Sequence, residues 1–483
     1  MSDPEALAEL KDRLGPTSVL TDPTDMAGYV TPWRGPTGEA SAVVLPTDTE
    51  QVRQVVGWAR GHRVRLIPQG ANTGLVGAST PPSGSRAVIL STDRLRGSLH
   101  VDPVDRTAVA HAGVRLSELN RAAEPHGLHL PIDLAADPSV GGMVATNTGG
   151  SRMLRHGDMR TSLLGVRAVL ADEGCSVIDE LTTLRKHNVG PSIGELLVGA
   201  GGAFAVITEV AVQLQTIPAR RVCAWLAPRS TSDVIPSLLL AESACPAELS
   251  AFEVLSAAAL DAACALDSVT VRPFGSDPPP THSVLVELEG GVDIEARLLD
   301  LLALLDEHGH LADAVVVPNE AAWSVRHAVT DGLAHRGEVV GMDVSVPRPR
   351  LPELIDRVGS SIAGSFPGSQ LCDFGHWADG GVHCNVLFPY GSECCPVDQR
   401  TRAAVRDLVL DAVEGLGGSF SAEHGIGPWN ADRWRRTTSA GTRLALRALS
   451  QSADPLGILG HPGLPYAEGL TSPSRADFGA QGI

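Results

Sequence analysis

The segment from Phe374 to Asn385 carries the strongest chemical signal in the sequence, because it places His376 and His383 on either side of Asp379-Gly-Gly. An Asp-Gly-Gly run is typical of a hairpin turn, so we predict that the two imidazoles lie on opposed strands near that turn. Side chains two residues apart on a strand face the same side, which puts His383 and Asn385 together. Two imidazoles held in this way form half of a metal site.

A carboxylate and a third imidazole follow in the segment Ser419-Phe-Ser-Ala-Glu423-His424-Gly-Ile-Gly427. Adjacent side chains on an extended segment point in opposite directions, so Glu423 and His424 can take different roles. The sequence contains 16 histidines, and two of them close together are also common as unrelated surface or capping groups. These residues alone leave both a metal site and unconnected surface histidines open.

The segment Pro68–Ser79 has the composition of a ligand-binding loop. It lies between two apolar runs, Val64–Ile67 and Ala87–Leu90, which we predict to be strands. Residues 42–90 as a whole are typical of strand, helix, strand, loop and strand, and ligands of α/β sheets bind at the carboxyl ends of strands. The loop glycines permit a backbone nest for a phosphate or diphosphate. An ordinary glycine-rich surface loop is the alternative.

Two further glycine clusters follow, at Gly141–Gly150 and Val198–Ala203. The first has the same features as the loop, with polar residues between paired glycines. The second leads into an apolar run that we predict to be a strand. A dinucleotide fingerprint beginning at Gly199 would need glycine at position 204, where the chain has Phe204, so we exclude a Rossmann site.

The bulk properties of the chain exclude several classes of protein. Its 483 residues suggest about two to four domains, and between about 216 and 440 the alternation of helical and strand-like segments indicates a separate α+β domain. A formal charge of −18 argues against nucleic-acid binding. We predict no transmembrane segment, because no apolar run is long enough, and we expect no secretory signal. Its eight cysteines lack CxxC spacing, so we predict a cytoplasmic protein with reduced thiols.

Taken in order, these segments resemble the vanillyl-alcohol-oxidase-type flavoproteins. Among these the sequence is most similar to the D-2-hydroxyglutarate and D-lactate dehydrogenases and the FAD subunit of glycolate oxidase. Pro68–Ser79 resembles the diphosphate loop of that family, and Gly141–Gly150 resembles its second FAD segment, which continues into Arg155-His-Gly-Asp158. Val198–Val210 stands in the place of a third segment but reads Gly-Ala-Gly-Gly-Ala-Phe-Ala instead of Gly-Ser-Glu-Gly-Thr-Leu-Gly.

The resemblance implies an α+β fold, with a two-subdomain FAD-binding domain of the vanillyl-alcohol-oxidase (PCMH) type and an α+β substrate-cap domain. The expected bounds are 1–215 for the FAD-binding domain, with its core at about 40–215, and 216–440 for the cap. A segment at 441–467 is expected to return to the flavin site, and 468–483 to form a flexible tail.

The resemblance also implies FAD, held non-covalently because the first loop contains no histidine for attachment. The residues expected to bind it are Pro68, Gln69, Gly70, Ala71, Asn72, Thr73, Gly74, Ser79, Gly141, Gly142, Thr146, Asn147, Gly150 and Ile207.

The family pattern His-x-Gly-Asp-Gly-Asn-x-His, followed by Ser-Ala-Glu-His-Gly-Ile-Gly, implies a metal site and a base. The implied ligands of a divalent metal, with Zn²⁺ as the favoured ion, are His376, His383 and Glu423. The implied catalytic base is His424. The residues implied to bind substrate are Arg326, Thr330 and Asn385. Relatives that bind 2-hydroxyglutarate carry a lysine where this chain has Gly341, so a second substrate carboxylate lacks its expected partner.

The implied reaction is the FAD- and metal-dependent oxidation of a D-2-hydroxy acid to the 2-oxo acid, with electrons passing to an unidentified acceptor. The substrate, the acceptor, the metal and the oligomeric state are left open, with a homodimer as one option. Two other functions are compatible with the sequence. One is a non-redox transferase resembling alkyl-glycerone-phosphate synthase, and the other is a degenerate, non-catalytic flavin or metal binder.

Overall fold

The computed structural model describes residues 4–275 and 279–466, so the tail predicted at 468–483 lies outside the described residues. The described chain forms two compact units. The first consists of residues 4–148, 158–217 and 424–466. The second consists of Gly149–Gly157 and Pro218–Glu423, so it includes a short segment that directly follows the second glycine cluster.

Among the described residues, the first unit contains three sheets. Its strands are β1 (Val19–Leu20), β2 (Ala42–Val44), β3 (Leu66–Gln69), β4 (Val88–Ser91), β5 (Leu99–Asp102), β6 (Thr107–His111), β7 (Leu128–His129), β8 (Leu163–Val169), β9 (Val177–Glu180), β10 (Val206–Gln213) and β11 (Gln215–Thr216). One sheet has the order β1-β2-β4-β3, with β2, β4 and β3 parallel. The second is antiparallel, in the order β5-β6-β10-β8-β9, and β7 pairs with β11.

The helices of the first unit are α1 (Pro4–Leu14), α2 (Pro23–Val30), α3 (Thr49–His62), α4 (Leu116–Ala123), α5 (Val140–Thr146), α7 (Met159–Ser162), α14 (Ala431–Thr437) and α15 (Ala440–Ala453). The order β2, α3, β3, loop and β4 confirms the arrangement predicted for residues 42–90. The second glycine cluster shares sequence features with the loop at Pro68–Ser79 but has a different structure. Its first half is α5, which begins because the Ser139 hydroxyl accepts the Gly142 N–H and ends at Asn147 in the left-handed conformation.

The second unit is built on a seven-stranded antiparallel sheet in the order β15-β12-β14-β13-β17-β18-β16. Its strands are β12 (Arg220–Pro228), β13 (Leu249–Ser256), β14 (His282–Gly290), β15 (Leu311–Val317), β16 (Gly337–Ser345), β17 (Gln370–Gly375) and β18 (Gly381–Pro389). Its helices are α6 (Met153–His156), α8 (Val234–Ala244), α9 (Ala257–Ala263), α10 (Ile294–Glu307), α11 (Asn319–Arg336), α12 (Leu351–Ser365) and α13 (Gln399–Gly415).

Helices cover both faces of this sheet, which explains why its central strands are apolar at consecutive positions. On β12, Ala224 and Leu226 face a core shared with α8, α10, α12 and α13. The alternate residues Cys223 and Trp225 face a second core, shared with α9 and α11. The α+β character predicted for this part of the chain is therefore confirmed.

Within residues 4–275 and 279–466, every helix is too short or too polar to cross a lipid bilayer.

Candidate active site

The hairpin predicted around Asp379 is present, and it is formed by β17 and β18. His383 lies on β18, opposite Phe374 on β17 and opposite Asp343 on β16. The ring of His383 lies against Gly375. A Cβ atom added at Gly375 would be 3.1 Å from the His383 Cδ2 atom. His376 was expected on the opposed strand, but it follows β17 by one residue and starts the turn. The two imidazole centroids are 5.5 Å apart.

Glu253, on the neighbouring strand β13, fixes the orientation of His376. Its side chain is 1% exposed, its Oε1 atom lies 2.5 Å from His376 Nδ1, and its Oε2 atom accepts a hydrogen bond from Arg326 Nε. Burial disfavours a charged imidazole, but the carboxylates of Glu253 and Glu423 outweigh that effect and raise the pKa of His376 well above its ordinary value. With Nδ1 held by Glu253, the Nε2 atom of His376 faces Glu423.

Glu423 lies between the two imidazoles. Its Oε1 atom lies 3.7 Å from His376 Nε2 and 3.7 Å from His383 Nε2. Burial opposes ionisation of this carboxyl, yet the hydrogen bond and charge of His376 and the charge of His383 lower the pKa of Glu423 below its ordinary value. Asp343 holds the segment in place, because its Oδ2 atom accepts the Glu423 backbone N–H at 2.8 Å.

The donor set fits a divalent transition metal. Tetrahedral zinc with bonds of about 2.0–2.1 Å separates its ligand atoms by about 3.4 Å, and the 3.7 Å separations around Glu423 Oε1 are close to that value. The carboxylates next to the imidazoles also fit, since metal-bound histidines usually direct their other ring nitrogen at a carboxylate. Glu253 takes that position for His376, and Asp343 Oδ1 lies 3.4 Å from His383 Nδ1.

Two acidic residues of this arrangement were missed by the sequence reasoning. Asp343, His383 and Glu423 each offer a ligand atom within 4.8 Å of the others, which makes Asp343 a further candidate ligand. Glu253 and Asp343 are distant in sequence from the histidine motif, and only strand register brings them beside it. The sequence did contain one signal for Asp343. Side chains two residues apart on a strand face the same side, so Asp343 shares a face with Gly341, the position where relatives that bind 2-hydroxyglutarate carry a lysine.

The residues predicted to bind substrate lie in different environments. Arg326 on α11 is buried, pairs with Glu253 and has its guanidinium 4.9 Å from the Phe374 ring centroid. Thr330, one turn later, is exposed. Asn385 is buried, donates to the His383 carbonyl at 3.2 Å and lies opposite Gly341 on β16.

His424, predicted to be the base, is half-buried and lies outside regular secondary structure. It is the first residue of the last segment of the first unit and follows Glu423 directly in the chain. A short glycine-containing turn, up to Gly427 in the left-handed conformation, leads from it toward α14.

In the first unit the three glycine clusters converge on one pocket. A side chain at Gly70 would collide with the Ser139 hydroxyl and would lie 3.4 Å from the Gly142 Cα atom. A Cβ atom at Gly202, in the third cluster, would lie 3.1 Å from Pro68 Cγ. The residues that line the pocket are Pro68, Gln69, Gly70, Ala78, Ser79, Thr92, Gly141, Gly142, Ala145, Thr146, Leu197, Ala200, Gly201, Gly202, Ala205, Val206 and Ile207. Bare backbone on several sides suits a diphosphate, which hydrogen-bonds to N–H groups.

Several residues predicted to bind FAD do not line this pocket: Ala71, Asn72, Thr73, Gly74, Asn147 and Gly150. Two of them make side-chain hydrogen bonds to neighbouring segments. Asn72 donates to the Thr31 carbonyl at 2.9 Å and accepts from the Ser79 hydroxyl at 2.9 Å. Asn147 donates to Asp158 and accepts a backbone N–H. The third cluster, whose sequence differs from the family pattern, supplies lining residues that the sequence reasoning did not name.

Known proteins match almost the whole chain. Residues 40–177 match the FAD binding domain family, and residues 217–463 match the FAD linked oxidases, C-terminal domain. D-2-hydroxyglutarate dehydrogenase of Stutzerimonas stutzeri (strain A1501) is 30% identical over 477 residues, covering 97% of this chain and 100% of that relative. The mitochondrial D-2-hydroxyglutarate dehydrogenase of Bos taurus is 32% identical, covering 93% of this chain and 81% of that relative.

Two solved structures have the same fold at low sequence identity. p-Cresol methylhydroxylase with substrate bound gives a TM-score of 0.74 at 16% identity and covers 94% of this chain and 95% of that chain. An alkyldihydroxyacetonephosphate synthase gives 0.73 at 18% identity and covers 94% and 85%. These likenesses confirm the FAD-binding fold of the vanillyl-alcohol-oxidase (PCMH) type.

Fold and sequence therefore define the class as flavin-dependent oxidoreductases. Within that class the chain belongs to the FAD-linked oxidases, as its match to both domains of that family shows.

Proposed function

We propose that this protein oxidises a D-2-hydroxy acid to the corresponding 2-oxo acid, using FAD and a divalent metal ion and passing electrons to a separate acceptor. The observation that carries the proposal is the convergence of His376 Nε2 and His383 Nε2 on Glu423 Oε1, each at 3.7 Å. The names of the relatives point to the same substrate class. We also propose the domain bounds expected from the sequence: 1–215 for the FAD-binding domain, 216–440 for the cap, and 441–467 for a segment that returns to the flavin site.

The residues of this chain would divide the work as follows. His376, His383 and Glu423 would hold the metal, with Zn²⁺ favoured by two imidazoles and one carboxylate, and the pocket of the first unit would hold the FAD diphosphate. When bound, the metal supplies Lewis acidity at the substrate hydroxyl and FAD accepts the hydride. His424 would take the hydroxyl proton.

Arg326 would bind the substrate carboxylate. Its guanidinium has five N–H donors, and Nε bonds Glu253, so the terminal N–H groups can serve a ligand. Burial would strengthen that ion pair relative to one in water. Gly341 lies opposite Asn385 and offers no cation for a second carboxylate. We therefore favour a 2-hydroxy acid with one carboxylate over 2-hydroxyglutarate.

Anaerobic reduction of the flavin tests the reaction. Purified protein is mixed with a panel of D- and L-2-hydroxy acids with one or two carboxylates, and the flavin absorbance is followed. We expect bleaching by a D enantiomer with one carboxylate and none by its L counterpart. A flavin that stays oxidised with every member of the panel would sink the proposal and favour the transferase or non-catalytic alternatives.

Metal analysis tests the ligand assignment. His383→Ala should lower the bound metal and the bleaching rate, because it removes one of the two imidazoles. His335→Ala is the matched control, since His335 is exposed at the end of α11. Unchanged metal content in His383→Ala would refute the assignment.

A further inference from the structure

The indole of Trp429 packs directly against the backbone of two other loops of the first unit. A Cβ atom at Gly77 would lie 3.1 Å from Trp429 Cζ2, and one at Gly35 would lie 2.8 Å from the same atom. Gly77 has a φ of 71° and Gly35 a φ of 98°. Residues other than glycine rarely adopt such positive φ values. The ring therefore occupies space that exists only because both positions lack a side chain.

Two neighbours of Trp429 make similar close contacts. Gly427, with φ of 52°, lies so near Val76 that a Cβ atom would collide with its carbonyl oxygen. A Cβ atom at Gly463 would lie 2.6 Å from Pro428 Cβ. The segment 427–429 is thus interlocked with the loop that contains Val76 and Gly77. Tightly packed contacts of this kind transmit displacement, because neither side can shift without the other.

This interlock connects two parts of the proposed site. On one side, Ala78 and Ser79 directly follow Gly77 and line the pocket of the first unit. On the other side, His424 lies three residues before Gly427, and the turn between them contains Gly425 with φ of 86°. The turn also contains Ile426, which packs against the core of the first unit, and the contacts at 427–429 hold the end of the turn that is farther from His424.

We propose that Trp429 is a positioning residue that couples cofactor binding at the loop 68–79 to the placement of His424. The proposal rests on the function proposed above for that loop and for His424. FAD in the pocket would immobilise residues 77–79. Because the indole packs against Gly77, it would in turn reduce the mobility of the segment 424–430. Without the indole, the contact between Gly427 and Val76 would remain, and the coupling between the two sides would be weaker.

Hydrogen exchange of the 424–430 amides, with and without FAD, tests this coupling. Apoprotein and FAD-loaded protein are compared for the wild type, Trp429→Ala and Trp429→Phe, and FAD release is followed by flavin fluorescence. Trp33→Ala is the control, because Trp33 is 73% exposed. We expect FAD to slow exchange of the segment in the wild type and the control. In Trp429→Ala this slowing should be clearly smaller, and FAD should leave on the order of tenfold faster, about 1.4 kcal/mol.

Trp429→Phe keeps an aromatic ring on the two glycines and should restore part of both effects. It also keeps the proposal falsifiable if the alanine variant does not fold. Equal FAD-dependent protection in the wild type and in the folded Trp429 variants would overturn the coupling. Neither readout uses a hydroxy acid. A failed substrate screen with intact coupling would therefore count against the reaction alone, and flavin bleaching with unaltered protection would count against the coupling alone.

Discussion

Replacing Glu253 by glutamine should lower the affinity for the proposed divalent metal about 10- to 100-fold, the range typical for loss of a carboxylate that hydrogen-bonds to a metal-binding histidine. Glu253 is 1% exposed and its Oε1 atom lies 2.5 Å from His376 Nδ1. The carboxylate can only accept, so it holds the proton on Nδ1 and leaves Nε2 free to bind a cation. A neutral amide can also donate, which would favour the tautomer with the proton on Nε2.

The same substitution has a second effect that must be measured separately. Glu253 also pairs with the buried Arg326, and removal of one member of a buried pair costs about 3–5 kcal/mol. We therefore expect Glu253→Gln to unfold at a lower temperature even without metal. The FAD affinity should remain at the wild-type value, because the pocket of the first unit does not include this residue.

The assay is competition for metal between a chelator and the metal-free protein, with flavin fluorescence and thermal unfolding measured on the same samples. Glu320→Gln is the control, since Glu320 is an exposed acid in the first turn of the helix that carries Arg326. A folded Glu253→Gln protein with a metal affinity within about threefold of the wild type would refute the role of Glu253, provided that His383→Ala does lower the affinity.

Three other predictions follow from groups outside the metal site. Burial and the charge of Arg65 lower the pKa of His461 to about 3. The unfolded state therefore binds an extra proton as the pH falls below about 6.5, and the loss of stability should steepen from about 0.7 kcal/mol per unit at pH 6.5 to about 1.4 kcal/mol per unit near pH 5; His461→Gln should flatten this slope in denaturant titrations. Arg152→Met should cost about 3–5 kcal/mol in the same assay, because it leaves the fully buried Glu287 without its bidentate partner, whereas a cost below about 1 kcal/mol would contradict this. Gly70→Ala should abolish flavin binding, because the added Cβ would collide with the hydroxyl that caps α5, and retained flavin absorbance would count against the proposed cradle.

The parts of the site that sequence reasoning could predict depend on local signals. The Asp379-Gly-Gly turn indicates its hairpin because turn geometry depends on a few adjacent residues. Glycine clusters likewise mark places where backbone must approach closely. The pairing of β17 with β18 confirms the first of these predictions. The helix at Val140–Thr146 was not predicted, because its glycines do not indicate a helix and the cap at Ser139 is what starts it.

The histidine and glutamate motif, the glycine clusters and, through the resemblance, the family can all be recognised in the sequence. The carboxylates that surround the imidazoles can be identified only from the folded structure. Glu253 reaches His376 because β13 pairs with β17, and Asp343 reaches His383 because β16 pairs with β18 in a particular register. Strand order and register depend on long-range packing of the whole sheet, so no short stretch of sequence contains them. The reactive side chains are therefore recognisable in the sequence, whereas their charge environment is a property of the folded sheet.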